Sequence, residues 1–219
     1  MYRFVRLAAP LLAALAVAAC NAGGTSSMPA ASGGSQGAPL TYKVVPQWMK
    51  LHQAKTACPQ VVGSPTCLAL QVTGRNGISP LCSPSSSCGF TATQLESAYN
   101  LTSELGGGSG TKVAVIEAGD LSAASSDLAT YRSEYGLGTA TFFKYNESGQ
   151  QSNYPPSCED YGWCLETDLD IDMVSASCPN CTIYLMEAKG GISDFEAAEK
   201  EAVTLGATIL SNSWICYGS

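Results

Sequence analysis

Four carboxylates stand at alternate positions in Glu166-Thr-Asp-Leu-Asp-Ile-Asp172, and the backbone that carries them decides what chemistry they can do. On a strand they share one face, a row of like charges that repel unless a cation sits on them. On a helix, at about 100° per residue, they separate into Glu166 with Asp170 and Asp168 with Asp172. The helical phase sets Leu165, Leu169 and Met173 beside Glu166 and Asp170 on one side and Ile171 and Val174 on the other. Asp168, Asp172 and Ser175 then form the polar face. Carboxylates among apolar neighbours lose hydration, and two close together resist double ionisation, so one pKa rises and a proton is shared. The alternative is a boundary pair that reaches solvent. Asp168-Leu-Asp-Ile-Asp172 also has the opening of a calcium loop, but the glycine and later glutamate such a loop needs are missing. Cys178-Pro-Asn-Cys181 has no second cysteine or histidine pair to complete a zinc site, so a disulfide is expected there.

The elements that must position these groups alternate strand and helix from Phe90 onward, the pattern of an α/β fold with a parallel sheet and crossover helices. Lys112-Val-Ala-Val-Ile-Glu117 is a buried strand. Ser125 to Tyr135 is a helix stopped by Gly136. Thr182 to Met186 is the next strand. Ser193 and Glu196 form a capping box ahead of a helix whose apolar face is Phe195, Ala198, Ala202 and Leu205. Gly206 ends it, and Thr208 to Trp214 forms a last strand, an exposed sheet edge.

The chain of 219 residues has eleven Lys and Arg against eighteen Asp and Glu, a net charge of −7. With no basic cluster beyond the first six residues, it lacks the attraction to phosphates that nucleic-acid binding needs. Ten cysteines point to an oxidising compartment. Arg3 and Arg6 followed by the apolar run Leu7 to Val17 make 1–19 a signal peptide rather than a membrane span. Val17-Ala-Ala-Cys20 has the form of a bacterial lipobox, which makes Cys20 the lipidated mature N-terminus and the membrane the chain's anchor; the alternative is an ordinary cut after Ala18. Residues 20–39 form a flexible linker. Residues 40–88 form a loop-rich, disulfide-tied segment, with Cys58–Cys67 and Cys82–Cys88 as pairs that close small loops. Four local pairs can be drawn among nine of the cysteines, leaving Cys216 over.

Several stretches of 89–219 resemble the sedolisin-type serine-carboxyl peptidases in the same order. These are Gly89-Phe-Thr-Ala-Thr-Gln-Leu-Glu-Ser-Ala-Tyr-Asn-Leu101, Lys112 to Glu117, Asp127 to Gly136, Glu166-x-x-x-Asp170 and Ser211-Asn-Ser-Trp214. The resemblance implies a subtilisin-like parallel sheet with crossover helices, truncated here to its N-terminal half and preceded by a propeptide-like segment, 40–88. It implies that Glu166 is the general base for a serine, that Asp170 orients it, and that the substrate is a peptide or protein cleaved in acid. A carboxylate then replaces the usual histidine; His52, the only histidine, lies too early to be a triad member.

The family's serine lies in a Gly-Thr-Ser context far downstream, and none follows Trp214 here. An oxyanion aspartate is also missing, Ile215 stands where the family has glycine, and the family's calcium site belongs to the missing part, so no cofactor is expected in this chain. The resemblance therefore describes a peptidase whose nucleophile is lacking, inactive as this chain alone. The competing reading is a non-catalytic exported lipoprotein that binds peptides or a protein partner.

Overall fold

The computed structural model describes residues 53–73, 91–101 and 108–216. The expectations for the leader, Cys20, the linker, His52 and the Cys82–Cys88 pair lie outside them. Four parallel strands build the main sheet in the order β5-β6-β4-β7: β4 (Lys112–Ala118), β5 (Thr141–Asn146), β6 (Thr182–Ala188) and β7 (Ile209–Ser211). β4 and β6 are apolar almost throughout, as strands covered on both faces must be. Ala114, Val115, Ile116, Ile183, Leu185 and Met186 are all fully buried there.

Each parallel connection needs a crossover. Helix α1 (Ala92–Ala98) precedes the sheet, α2 (Ala124–Glu134) joins β4 to β5, α3 (Cys158–Tyr161) and α4 (Cys164–Ser177) join β5 to β6, and α5 (Ile192–Thr204) joins β6 to β7. The crossovers leaving β4 and β6 run toward opposite edges of the sheet, which makes the carboxyl ends of these two strands the place where such sheets form their clefts. The α/β architecture of parallel strands and crossover helices is therefore present as expected.

Three corrections concern local structure. The strand expected over 208–214 breaks at Asn212-Ser213. β7 pairs with β4 only as far as Ser211, whereas β8 (Trp214–Cys216) leaves the sheet and pairs antiparallel with β2 (Pro65–Cys67). Trp214 turns in against Phe195, their rings edge-on at 5.1 Å, and that packing sends the chain away from β4. β7 is an edge of the main sheet, as expected, but β8 is covered. The second correction is the start of α5: its cap is Gly191, whose N–H is accepted by Asp194 Oδ2 at 3.2 Å, earlier than the Ser193–Glu196 box. Third, Cys216 is disulfide-bonded rather than left over.

Disulfides Cys58–Cys67, Cys158–Cys164 and Cys178–Cys181 close the expected local loops. β1 (Gln53–Thr56) and β3 (Leu70–Thr73) form a separate antiparallel pair on either side of the first of them. Arg132, 3% exposed, ties the end of α2 to α4 by donating to the carbonyls of Leu137, Gly138 and Pro179 and to Ser175 Oγ. No helix among the described residues is long and apolar enough to cross a membrane.

Candidate functional site

The acidic run forms the continuous helix α4, so Asp168 to Asp172 make no calcium loop. Glu166 lies in its first turn, where the helix dipole favours a negative charge. Glu166 and Asp170, one turn apart, are 2% and 8% exposed. Burial outweighs the dipole and lifts the Glu166 carboxyl to about 7, with the neighbouring Asp170 raising it further and the Ala69 N–H pulling it down.

The surroundings differ from the expected ones in two respects. Leu165 and Leu169, assigned to the apolar flank of this pair, are 46% and 43% exposed, so they do not dehydrate it. Residues of β4 and of the segment ahead of the sheet are found around the pair instead. The intended polar face is also largely covered. Ser175 is fully buried under Arg132, and Asp168 and Asp172 are half-buried where α4 meets α2. Burial first, and then Asp127, lift Asp168 to about 6. Burial, Asp168 and Asp127 together lift Asp172 to about 7. Glu166 on one face and Asp168 and Asp172 on the other are thus all raised, and perturbation alone does not distinguish a site from an acidic helix interface.

Position distinguishes them. At the carboxyl end of β4, Glu117 is completely buried. Neither of its oxygens has an ordinary hydrogen-bond partner, and Asp170 Oδ2 is in the same condition. Burial raises the Glu117 carboxyl well above its usual range, and Asp170, Glu166 and Glu187 add to that. Two orphaned carboxyl groups side by side are satisfied when one carries a proton and donates it to the other. Glu117 and Asp170 can therefore share a proton, and Glu166 completes a buried triad, close enough to raise Glu117 and to be raised by Asp170.

In register beside Glu117 stands Glu187 of β6, also fully buried and raised by burial to about 8. It accepts the Leu121 N–H at 2.8 Å and lies 3.5 Å from Lys144 Nζ, which also pairs with Asp120. Glu117 and Glu187 are additions to the expected Glu166 and Asp170. The available signal was a single glutamate near the end of each of two otherwise apolar strands, where a charge is costly unless it has work to do.

A second surprise lies across the triad. Ala69 donates its N–H to Glu166 Oε2 at 2.8 Å, while Leu68 donates to the Ser213 carbonyl at 3.2 Å. β2 pairs along β8 as Pro65 with Cys216, Thr66 with Ile215 and Cys67 with Trp214. The sulfurs of Cys58 and Cys67 and a Glu166 oxygen all lie within 4.8 Å of one another. Those sulfurs are bonded to each other and offer no thiolate to a metal. Gly162, at φ +70°, completes the seat: a Cβ there would come within 2.8 Å of Pro59 Cδ.

A Gly-Thr-Ser tripeptide does occur in the chain, as Gly24-Thr25-Ser26, but it lies in the expected linker, ahead of the acidic helix rather than downstream of it, and outside the described residues.

Neither the known protein families nor the curated proteins contain a match to the chain. Among solved structures it is similar to Pseudomonas sedolisin, a serine-carboxyl proteinase complexed with two molecules of pseudo-iodotyrostatin. The identity is 22% and the TM-score 0.45, over 57% of this chain and 34% of that one. The matched part is thus about a third of that protein's length, and the likeness assigns no family.

Proposed function

We propose that this chain carries the acid–base half of an exported serine-carboxyl endopeptidase, with Glu166 as general base and Asp170 as the group that orients it. The observation that carries the reading is the burial of this pair on one face of α4 against Glu117. A general base must be dehydrated enough to hold a proton near its working pH and must be held in place by a partner. The order of sequence motifs from Gly89 to Trp214 supports the same reading.

The substrate is a peptide or protein. A serine nucleophile and any calcium site would come from residues outside those described. The reading is tested by translating the gene past codon 219 and assaying hydrolysis of an unfolded protein from about pH 4 to about pH 7, the upper end being where a base raised by burial is free to accept a proton. A frame with a Gly-Thr-Ser motif and hydrolysis within this range is the expected result, and an extended protein that cleaves nothing across it overturns the reading.

A second reading, an exported module that binds extended peptides without cleaving them, is favoured by one observation. The β8 edge already accepts an extended segment along its backbone, the geometry of strand addition.

Both readings place the chain outside the cytoplasm, and Cys20 is proposed as its lipid anchor. Labelled palmitate enters the wild type, and Cys20→Ala abolishes the incorporation. A fully soluble, unlabelled wild type is the contrary outcome.

A further inference from the structure

The segment from Ala57 to Ala69 covers Glu166; Cys58, Cys67 and Ala69 pack into the core there, and a few short contacts join the segment to the rest of the chain. These are the three-residue β2–β8 ladder, the Leu68–Ser213 hydrogen bond and the Ala69–Glu166 hydrogen bond. The Ala57 N–H also donates to the Ala69 carbonyl at 2.9 Å, closing the base of the loop. Inside that loop the Cys58–Cys67 disulfide joins residues nine apart. Cys58 and Cys67 are 1% and 4% exposed, and their sulfurs lie within 4.8 Å of an oxygen of the carboxylate that the loop covers.

We infer that the Cys58–Cys67 disulfide is the latch of a strap over Glu166, and that a dithiol reductant, whether a small molecule or an exported thiol–disulfide oxidoreductase, opens the site by reducing it. The chemistry is thiol–disulfide exchange. A thiolate of the dithiol attacks one cystine sulfur, the S–S bond breaks, and a mixed disulfide forms with release of the other cysteine. The second thiol of the reductant then resolves the mixed disulfide. Two electrons pass from the dithiol to the cystine. The reductant ends as its disulfide, and its two protons end on Cys58 and Cys67.

Burial makes reduction of this latch depend on motion of the strap. A thiolate cannot reach the sulfurs while the strap is down, so reduction captures the molecule only after the strap has lifted. Once reduced, the loop must be ordered again before its few hydrogen bonds can re-form, and closing a loop of this size is worth about 10²-fold in the equilibrium. The covalent bond thus shifts the balance between covered and open Glu166 by about 10²-fold. This inference concerns access to Glu166 and does not require that the chain cleave peptides, so its test uses no catalytic readout.

The test is the full chain carrying Cys58→Ser and Cys67→Ser, compared with wild type by amide hydrogen exchange and by carbodiimide labelling of Glu166 read by peptide mass mapping. Exchange at the Ala69 amide speeds up by about 10²-fold and Glu166 becomes labelled, while the Ile116 and Leu185 amides in the sheet keep their protection. An unchanged Ala69 amide and an unlabelled Glu166 overturn the inference. So does a loss of protection in the sheet equal to that at Ala69, because the disulfide is then a staple of the whole fold. Should the double variant fail to fold, limited dithiothreitol treatment of folded wild type gives the same readouts, with reduction of Cys58–Cys67 followed by mass. The Ala69 amide must then open in step with that cystine, and reduction that leaves it protected counts against the latch.

Discussion

Glu166→Gln lowers peptide turnover by about 10³-fold in the protein extended past codon 219, with KM almost unchanged. The amide keeps the size and the hydrogen-bond acceptor that Ala69 uses, but it cannot take the serine proton, so the loss falls on the chemical step. Asp170→Asn costs less, because it leaves the base in place and disturbs only its orientation. Asp168→Asn and Asp172→Asn leave turnover within a few-fold, since those carboxylates lie under α2 and not beside Glu117. Steady-state assays of the four variants decide the matter. A loss below about tenfold for Glu166→Gln, or an equal loss for Asp168→Asn, moves the base to another residue.

Much of the scaffold was legible because buried parallel strands write their burial into the sequence. Lys112 to Glu117 and Thr182 to Met186 were readable as near-continuous apolar runs, and each proved one or two residues longer. The acidic helix was readable from the separation of its carboxylates at a period of 3.6. What covers each face of that helix was not. A helical wheel sorts residues into stripes but cannot say which stripe meets the sheet when both contain carboxylates. Leu165 and Leu169 were therefore assigned to the flank of the site, while in the fold they face solvent and Ser175 lies inside.

The break between β7 and β8 was illegible for a similar reason. Local propensity favours one strand from Thr208 to Trp214, and only the packing of Trp214 on Phe195 and the arrival of β2 divide it. The strap itself could be suspected only from the spacing of Cys58 and Cys67. Its target is separated from it by 97 residues of chain, and no local pattern encodes a contact at that distance.

Glu117→Gln makes the protein more stable above neutral pH and leaves it nearly unchanged in acid. Burial holds the Glu117 carboxyl well above its ordinary value of 4.5, so the folded state keeps a proton that the unfolded state gives up. With a folded pKa above the unfolded one, this group's contribution to stability is complete below about pH 4.5 and is lost as pH rises through the folded pKa. Glutamine carries no charge at any pH, and its amide can donate to Asp170 as the protonated acid does, so the variant escapes that loss. The wild-type melting temperature should fall from about pH 4 to about pH 8, and Glu117→Gln should fall less, exceeding wild type by about 5 °C at the upper end. Glu166, Asp172 and Glu187 are raised as well, so part of the slope survives in the variant. Glu117→Leu separates charge from hydrogen bonding: it too removes the charge but leaves Asp170 Oδ2 with no donor, and it should melt below Glu117→Gln at every pH. Calorimetry of the three proteins across this range is the check. If Glu117→Gln tracks the wild-type slope, the buried proton does not reside on Glu117, and the proton-sharing assigned to Glu117 and Asp170 fails with it.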